Sequence, residues 1–141
     1  MIVKYEEKYL AEATNFIADR YALPMGKYGF DLHPGKILET IKQCADNIFV
    51  IDDNGIHGII GGLIYSPYSE TDSVVHVLSW CVDPEYRRYS LRLYKKFESH
   101  CKAKGFARIS VSALFDDLEE RSKLYTRMGY KPTEMQYMKE L

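Results

Sequence analysis

The decapeptide Arg87 to Lys96, RRYSLRLYKK, carries five cations and no acid, and the apolar spacing that runs through it predicts a helix. A helix start already bears about half a positive charge, so acids are favoured there and bases are not. Arg87, Arg88, Arg92, Lys95 and Lys96 at such a place point to an anion arriving from outside. The segment before them, Cys81-Val82-Asp83-Pro84-Glu85-Tyr86, reads as a strand end and a turn. Strand, turn and cationic helix start make the layout of a phosphate-binding site, where backbone N–H groups and the helix dipole face the ligand. The competing reading is a solvated face, with Arg87, Arg88 and Arg92 paired to Asp83, Glu85 or Glu98.

Upstream lies VVHVLSWCV, residues 74–82, an apolar run whose polar members are His76 and Ser79. A histidine titrates near neutrality and suits a general base; the other reading of His76 is a hydrogen-bonded structural residue. Glu70 and Asp72, just before the run, are weaker choices. Asp83 sits in the turn and is expected to fix its geometry. Cys81 has no activating histidine beside it in sequence. Cys44, Cys81 and Cys101 are widely spaced, without a CxxC pair or zinc spacing, so they read as reduced packing thiols and no metal site is expected.

These groups need a scaffold. A length of 141 residues suggests one domain, 1–141. Ile2 to Tyr5 reads as a strand, and Lys8 to Tyr21 as a helix broken by Leu23-Pro24-Met25-Gly26. Pro34 opens a second helix with the stripe Ile37, Leu38, Ile41, Cys44 and Ala45. Strands follow at Asn47 to Ile51 and Ile56 to Tyr65, joined by a hairpin at Asn54-Gly55, a pair that readily takes positive φ. Gly61-Gly62 marks a bulge or a close backbone approach. After the polar connection Ser66 to Ser73, Val74 to Val82 reads as a central strand buried on both faces. The cationic helix has the expected apolar face Leu91, Tyr94, Phe97 and Cys101, and stops at Gly105. A strand at Ala107 to Ala113, a helix at Asp116 to Met128 and one or two closing strands in Tyr130 to Leu141 complete the chain. The order β-α-α-β-β-β-α-β-α-β is that of a mixed α/β domain around a central, mostly antiparallel sheet.

The net charge of −1 argues against nucleic-acid binding and makes the basic decamer a local feature suited to a small anion. No run approaches the ~18–20 apolar residues of a membrane span, and the start MIVKYEEKYL lacks a signal-peptide core. A cytoplasmic protein with no membrane partner is the expectation.

Two stretches carry a family resemblance. Val82-Asp83-Pro84-Glu85-Tyr86-Arg87 is similar to the V-x-P-x-x-R strand end of the GCN5-related N-acetyltransferases. Leu124-Tyr125-Thr126-Arg127-Met128-Gly129-Tyr130 resembles that family's L-Y-x-x-x-G-F close, and a helix, a strand and a helix separate the two in both. The resemblance implies acetyl-CoA as cosubstrate and direct transfer of its acetyl group to a primary amine of a small molecule or protein. It implies a pantetheine arm along Trp80, Cys81 and Val82, whose amides could stabilise an oxyanion, and pyrophosphate on Arg87, Arg88, Tyr89, Ser90, Leu91 and Arg92. Tyr125 takes the place of the family's general acid, and Lys123 and Arg127 flank it. The family's loop reads R/Q-x-x-G-x-G/A; here Ser90 and Arg92 stand at the two small positions, and Leu118 stands where an Asn is usual. Those departures motivate the alternative, a non-catalytic binding module of the same fold that has lost efficient CoA binding. The acceptor would be shaped by Leu23 to His33 and Tyr65 to Ser73, with Tyr28, Phe30, Tyr65 and Tyr68 as cleft aromatics. Homodimerisation, common in similar folds, is left open.

Overall fold

The structure, a computed structural model, describes residues 1–27, 29–66 and 71–141, the Leu23 side chain apart. Tyr28, Tyr68 and Glu70, named above, lie outside the described residues. The chain forms two compact units, Met1–Val111 and Ser112–Leu141.

The first unit contains β1 (Ile2–Lys4), α1 (Leu10–Gly26), α2 (Pro34–Cys44), β2 (Ile48–Asp52), β3 (Ile56–Tyr65), β4 (Val74–Val82), α3 (Ser90–Ala103) and β5 (Arg108–Ser110). The strands form one sheet in the order β1-β2-β3-β4-β5, antiparallel except for the parallel pair β4–β5. This is the expected mixed, mostly antiparallel α/β architecture. The hairpin between β2 and β3 turns at Asn54 (φ 54°) and Gly55 (φ 134°), the left-handed conformations that Asn-Gly supplies. Pro34 occupies the first turn of α2, as expected. Helix α1 runs to Gly26 through the expected break. Pro24 withholds only the bond to the Arg20 carbonyl, and it does so in the helix's last turn.

One face of the sheet packs on α1 and α2 through Tyr5, Tyr9, Ala13, Phe16, Ile41, Cys44, Ile48, Val50, Ile56 and Ile59. The other face receives α3, whose buried side chains are Leu93, Tyr94, Phe97 and Cys101. Leu91, expected on that apolar face, is 50% exposed. Around the helix it stands ~120° from Phe97, whereas Leu93 stands ~40° away.

Strand β4 departs from the expectation of burial on both faces: only Val75 and Val77 are buried, and Leu78 is exposed. The cause is a bulge. Gly61 pairs with Ser79 and Gly62 with Val77, so Leu78 is the extra residue and has no partner. The expected irregularity at Gly61-Gly62 is therefore present, with the inserted residue on the opposite strand. The bulge also resets the side-chain alternation. Val75 lies by Phe97, and beyond the bulge Trp80 stacks near Tyr94 of α3, while Cys81 packs against the α1/α2 core. The ladder to β5 covers only Val74–His76 against Arg108–Ser110, shorter than the expected strand 107–113. Beyond it, the outer half of β4 pairs with β3 alone.

The second unit holds α4 (Leu118–Arg127), led in by acids at Asp116, Asp117, Glu119 and Glu120 in the favourable dipole sense. It closes at Gly129 (φ 93°), with the Tyr130 N–H donating to the Tyr125 carbonyl over 2.9 Å. The closing strands expected in 130–141 are not formed. Pro132 has no N–H for a ladder, and Lys131, Glu134, Lys139 and Glu140 interrupt the apolar alternation.

Candidate donor site

The outer half of β4 is one wall of the candidate site. The Asp83 N–H donates to the His57 carbonyl (2.8 Å), which fixes the ladder's alternation. Cys81 and Ser79 then turn their backbone groups to β3, while Trp80 and Val82 turn theirs outward. Of the three residues expected to line a pantetheine arm, Trp80 and Val82 thus face the open edge, and Cys81 does not. The Cys81 thiol packs inward, and burial pushes its pKa up to about 11, the wrong direction for a nucleophile. The Trp80 N–H is met by the hydroxyl of Tyr21 from α1, at 3.4 Å. The buried indole N–H of Trp80 meets no acceptor among the described residues.

The cationic segment is wound more tightly than a loop. Pro84–Tyr89 is a 3-10 turn that runs directly into α3 at Ser90, and the Ser90 N–H donates to the Arg87 carbonyl. Arg87, Arg88 and Arg92 are exposed; the guanidinium groups of Arg88 and Arg92 lie 4.8 Å and 5.9 Å from the centre of the Tyr89 ring. Arg92 is thus turned toward Tyr89. Among the described residues none of these three arginines forms an ion pair. Of the acids offered for them, Asp83 is committed to Arg20 and His57, and Glu98 to Lys102 and the Tyr94 hydroxyl, while Glu85 is exposed and pairs with none of the three among the described residues. The segment therefore keeps its positive charge for a ligand.

His76 lies before the bulge, its Nδ1 2.7 Å from the Ser110 hydroxyl, and points to the same sheet face as Cys81. In the second unit, Tyr125 donates its hydroxyl proton to the Ser112 carbonyl (2.9 Å) and packs against Tyr130; burial raises its phenol pKa. Lys123 pairs with Glu119, and Arg127 donates to the Lys123 carbonyl. Among the described residues no His, Cys, Asp or Glu group could hold a metal ion, and no helix is long and apolar enough to cross a membrane.

Arg20, Tyr21 and His57 were not singled out by sequence reasoning. The available signal was Arg20 at the end of an apolar helical stripe, where a cation needs a carboxylate partner.

A five-stranded sheet opened beside its fourth strand, with a cationic helix start at that strand's end, defines an acyltransferase-like class of fold. Residues 14–130 match the acetyltransferase (GNAT) family, and the chain belongs to that family. Among solved structures it is similar to the aminoglycoside N-acetyltransferase AAC(6')-Iy in complex with CoA, at 14% identity and TM-score 0.74, covering 100% of this chain and 93% of that one. It is also similar to an acetyltransferase of Trypanosoma brucei (18%, TM-score 0.67, 100% and 99% covered). A third is glucosamine-6-phosphate N-acetyltransferase from Arabidopsis thaliana (14%, TM-score 0.63, 99% and 97% covered). No curated protein matches the chain.

Proposed function

We propose that the protein is an acetyl-CoA-dependent N-acetyltransferase that passes an acetyl group directly to a primary amine, acting in the cytoplasm. The observation that carries this reading is the set of three arginines, Arg87, Arg88 and Arg92, without an ion-pair partner among the described residues, where the open edge of β4 turns into α3. The residues fit the donor's chemistry. Arg87 and Arg88 offer charge-assisted bonds to a diphosphate. The outward C=O of Trp80 and the N–H and C=O of Val82, with the orphan indole N–H of Trp80, suit the amides of an extended arm. Acetyl-CoA supplies the activated acyl group. The CoA-bound relative lends the same fold to such a ligand.

A lysine-like amine is only about 0.04% neutral at pH 7, so a base near the acceptor is needed. His76 is assigned that role, its ring held by Ser110. Tyr125 is assigned as general acid to the departing thiolate, which requires its hydroxyl to leave the Ser112 carbonyl. Direct transfer needs no enzyme nucleophile, in keeping with the raised pKa of Cys81.

A second reading, a non-catalytic binding module of the same fold that has lost efficient CoA binding, is favoured by two commitments. The Ser90 N–H is spent on the Arg87 carbonyl, and the Tyr125 hydroxyl on that of Ser112. Thermal shift and calorimetry with acetyl-CoA and CoA separate the two. Saturable binding supports the enzyme; no response at millimolar ligand removes it. A Tyr125→Phe variant with undiminished turnover at neutral pH removes the general-acid role alone.

A further inference from the structure

The turn that launches the cationic segment is held from three directions by one carboxylate. Every polar group of Asp83 is engaged. Its N–H donates to the His57 carbonyl, and its carbonyl accepts from the Tyr86 N–H at 2.9 Å. Oδ1 accepts from Arg20 through Nε (3.0 Å) and Nη2, and Oδ2 lies 3.1 Å from His57 Nδ1. The Asp83 side chain is only 14% exposed. Arg20 is itself seated over the Phe16 ring, 4.0 Å from its centre. The His57 ring stacks on Tyr86 at 4.2 Å and 9°, and the Tyr86 hydroxyl donates to Asp53 Oδ2 at 2.7 Å. The other nitrogen of His57, Nε2, lies 3.1 Å from the Asp53 carbonyl. Both ring nitrogens thus face acceptors, a carboxylate and a carbonyl. The ring satisfies both only as the imidazolium, which donates from each; the neutral ring satisfies one.

We propose, building on the donor reading above, that Asp83, Arg20 and His57 are positioning residues. They fix the cationic turn Pro84–Tyr89 against α1 and the β2–β3 hairpin, and they hold it in the CoA-binding arrangement only while His57 is protonated. Among the described residues four groups face His57, directly or through one partner. Asp83 comes from the turn, Tyr86 from the 3-10 segment, Asp53 from the hairpin, and Arg20 from α1 through Asp83. Two cations balance two carboxylates. Losing the imidazolium proton leaves one excess negative charge beside the site that must receive a polyanion, and frees one tether of the turn.

The test is CoA affinity by calorimetry for wild type, His57→Phe and Arg20→Met, at about pH 6 and about pH 8. His57→Phe keeps an aromatic ring on Tyr86 and removes both donors. Wild-type affinity is expected to fall between the two pH values. That of His57→Phe is expected roughly tenfold below wild type at the lower pH, the scale of one charge-assisted bond, and closer to it at the higher, where the neutral wild-type ring keeps only one of its two bonds. CoA's own phosphates titrate alike against both proteins, so the ratio of affinities isolates His57. Arg20→Met should weaken CoA at both pH values, and Arg20→Lys should recover part of the loss. A merely structural role would lower the melting temperature without giving the wild-type-to-variant ratio a pH dependence. Wild type that binds CoA, with His57→Phe in step at both pH values, overturns this inference alone. Wild type that binds no CoA overturns the donor reading and this inference with it.

Discussion

Gly62 is the position where a single methyl group should do most damage. A Cβ built there stands 2.6 Å from Val75 Cγ1, 2.9 Å from the His76 carbonyl oxygen and 3.2 Å from Phe97 Cζ. Val75 and Phe97 are fully buried and hemmed in, and the His76 carbonyl belongs to the β4 backbone, so nothing can retreat cheaply. Overpacking of this kind costs about 1–3 kcal/mol, and a backbone contact belongs at the upper end. Alanine returns about 0.4–1 kcal/mol by restricting the unfolded chain. Gly62→Ala should therefore lose about 2 kcal/mol, a drop of roughly 5–8 °C in melting temperature. Gly58 makes the internal comparison: its Cβ would press on Ile51 Cδ1 (2.7 Å), the free end of a side chain that can rotate away, so the loss should be smaller. Gly35, with nothing within 4 Å on α2, should gain roughly 0.5 kcal/mol as alanine. Urea unfolding followed by the single tryptophan, Trp80, reads all three. A Gly62→Ala protein as stable as Gly58→Ala would refute the reasoning, because it would mean that the bulge is not held by contact between Gly62, Val75 and Phe97.

Three further outcomes follow from the geometry. Tyr9 donates to Asp52 at 2.7 Å; that bond first, and burial second, push its phenol up to about 12. The same bond, then the Gly55 N–H, holds the Asp52 carboxyl below its usual range. The raised phenol stabilises fully below about pH 10 and loses that contribution as pH rises through its folded value. The lowered carboxyl stabilises above about pH 4 and loses it as pH falls. Tyr9→Phe should therefore cost about 1–2 kcal/mol near neutrality and progressively less toward both extremes, measured by urea titration across pH. Cys81 and Cys101, both pushed up to about 11, are ~0.1% thiolate at pH 8, so an aromatic disulfide should label them only after unfolding; fast labelling of the native protein would contradict the packing. Replacing Arg87 and Arg88 together with alanine should weaken CoA and flatten the salt dependence of its binding, since each removes a screened charge with no acidic partner among the described residues; unchanged salt dependence would move the anion elsewhere.

The local signals in the sequence translated well. Asn54-Gly55, Pro34 and Gly105 each act through one residue's own backbone preference, and each stands where that preference placed it. The limits of β3 and β4 were equally legible because turn residues flank them. What failed was the burial of β4 on both faces and the phase of α3. A plain alternation through VVHVLSWCV puts Cys81 with Val75 and Val77, whereas the bulge sends it to the opposite face. Leu91 was preferred to Leu93 for the same reason, a choice between neighbours that only packing decides. The Asp83 cluster was illegible for another cause: Arg20 lies 63 residues from its carboxylate and His57 lies 26, and no local pattern joins them. The closing strands were read from a loose alternation around Pro132, but a strand is a relation between two segments, and Pro132 withholds part of it.

The bulge at Leu78 also says which change in length β4 can survive. Elsewhere in the strand, losing one residue would turn every later side chain to the wrong face. Losing Leu78 would not: Val77 would be followed by Ser79, and Trp80, Cys81 and Val82 would keep the faces they have. The shortened strand would be the more regular one, less bent and less twisted. Leu78 is half-exposed and has no partner in the β3–β4 ladder, so its main contribution is the bend itself. It is the one residue of β4 that folding could spare, and the one whose removal would straighten the strand's outer half and narrow the opening along Trp80 and Val82.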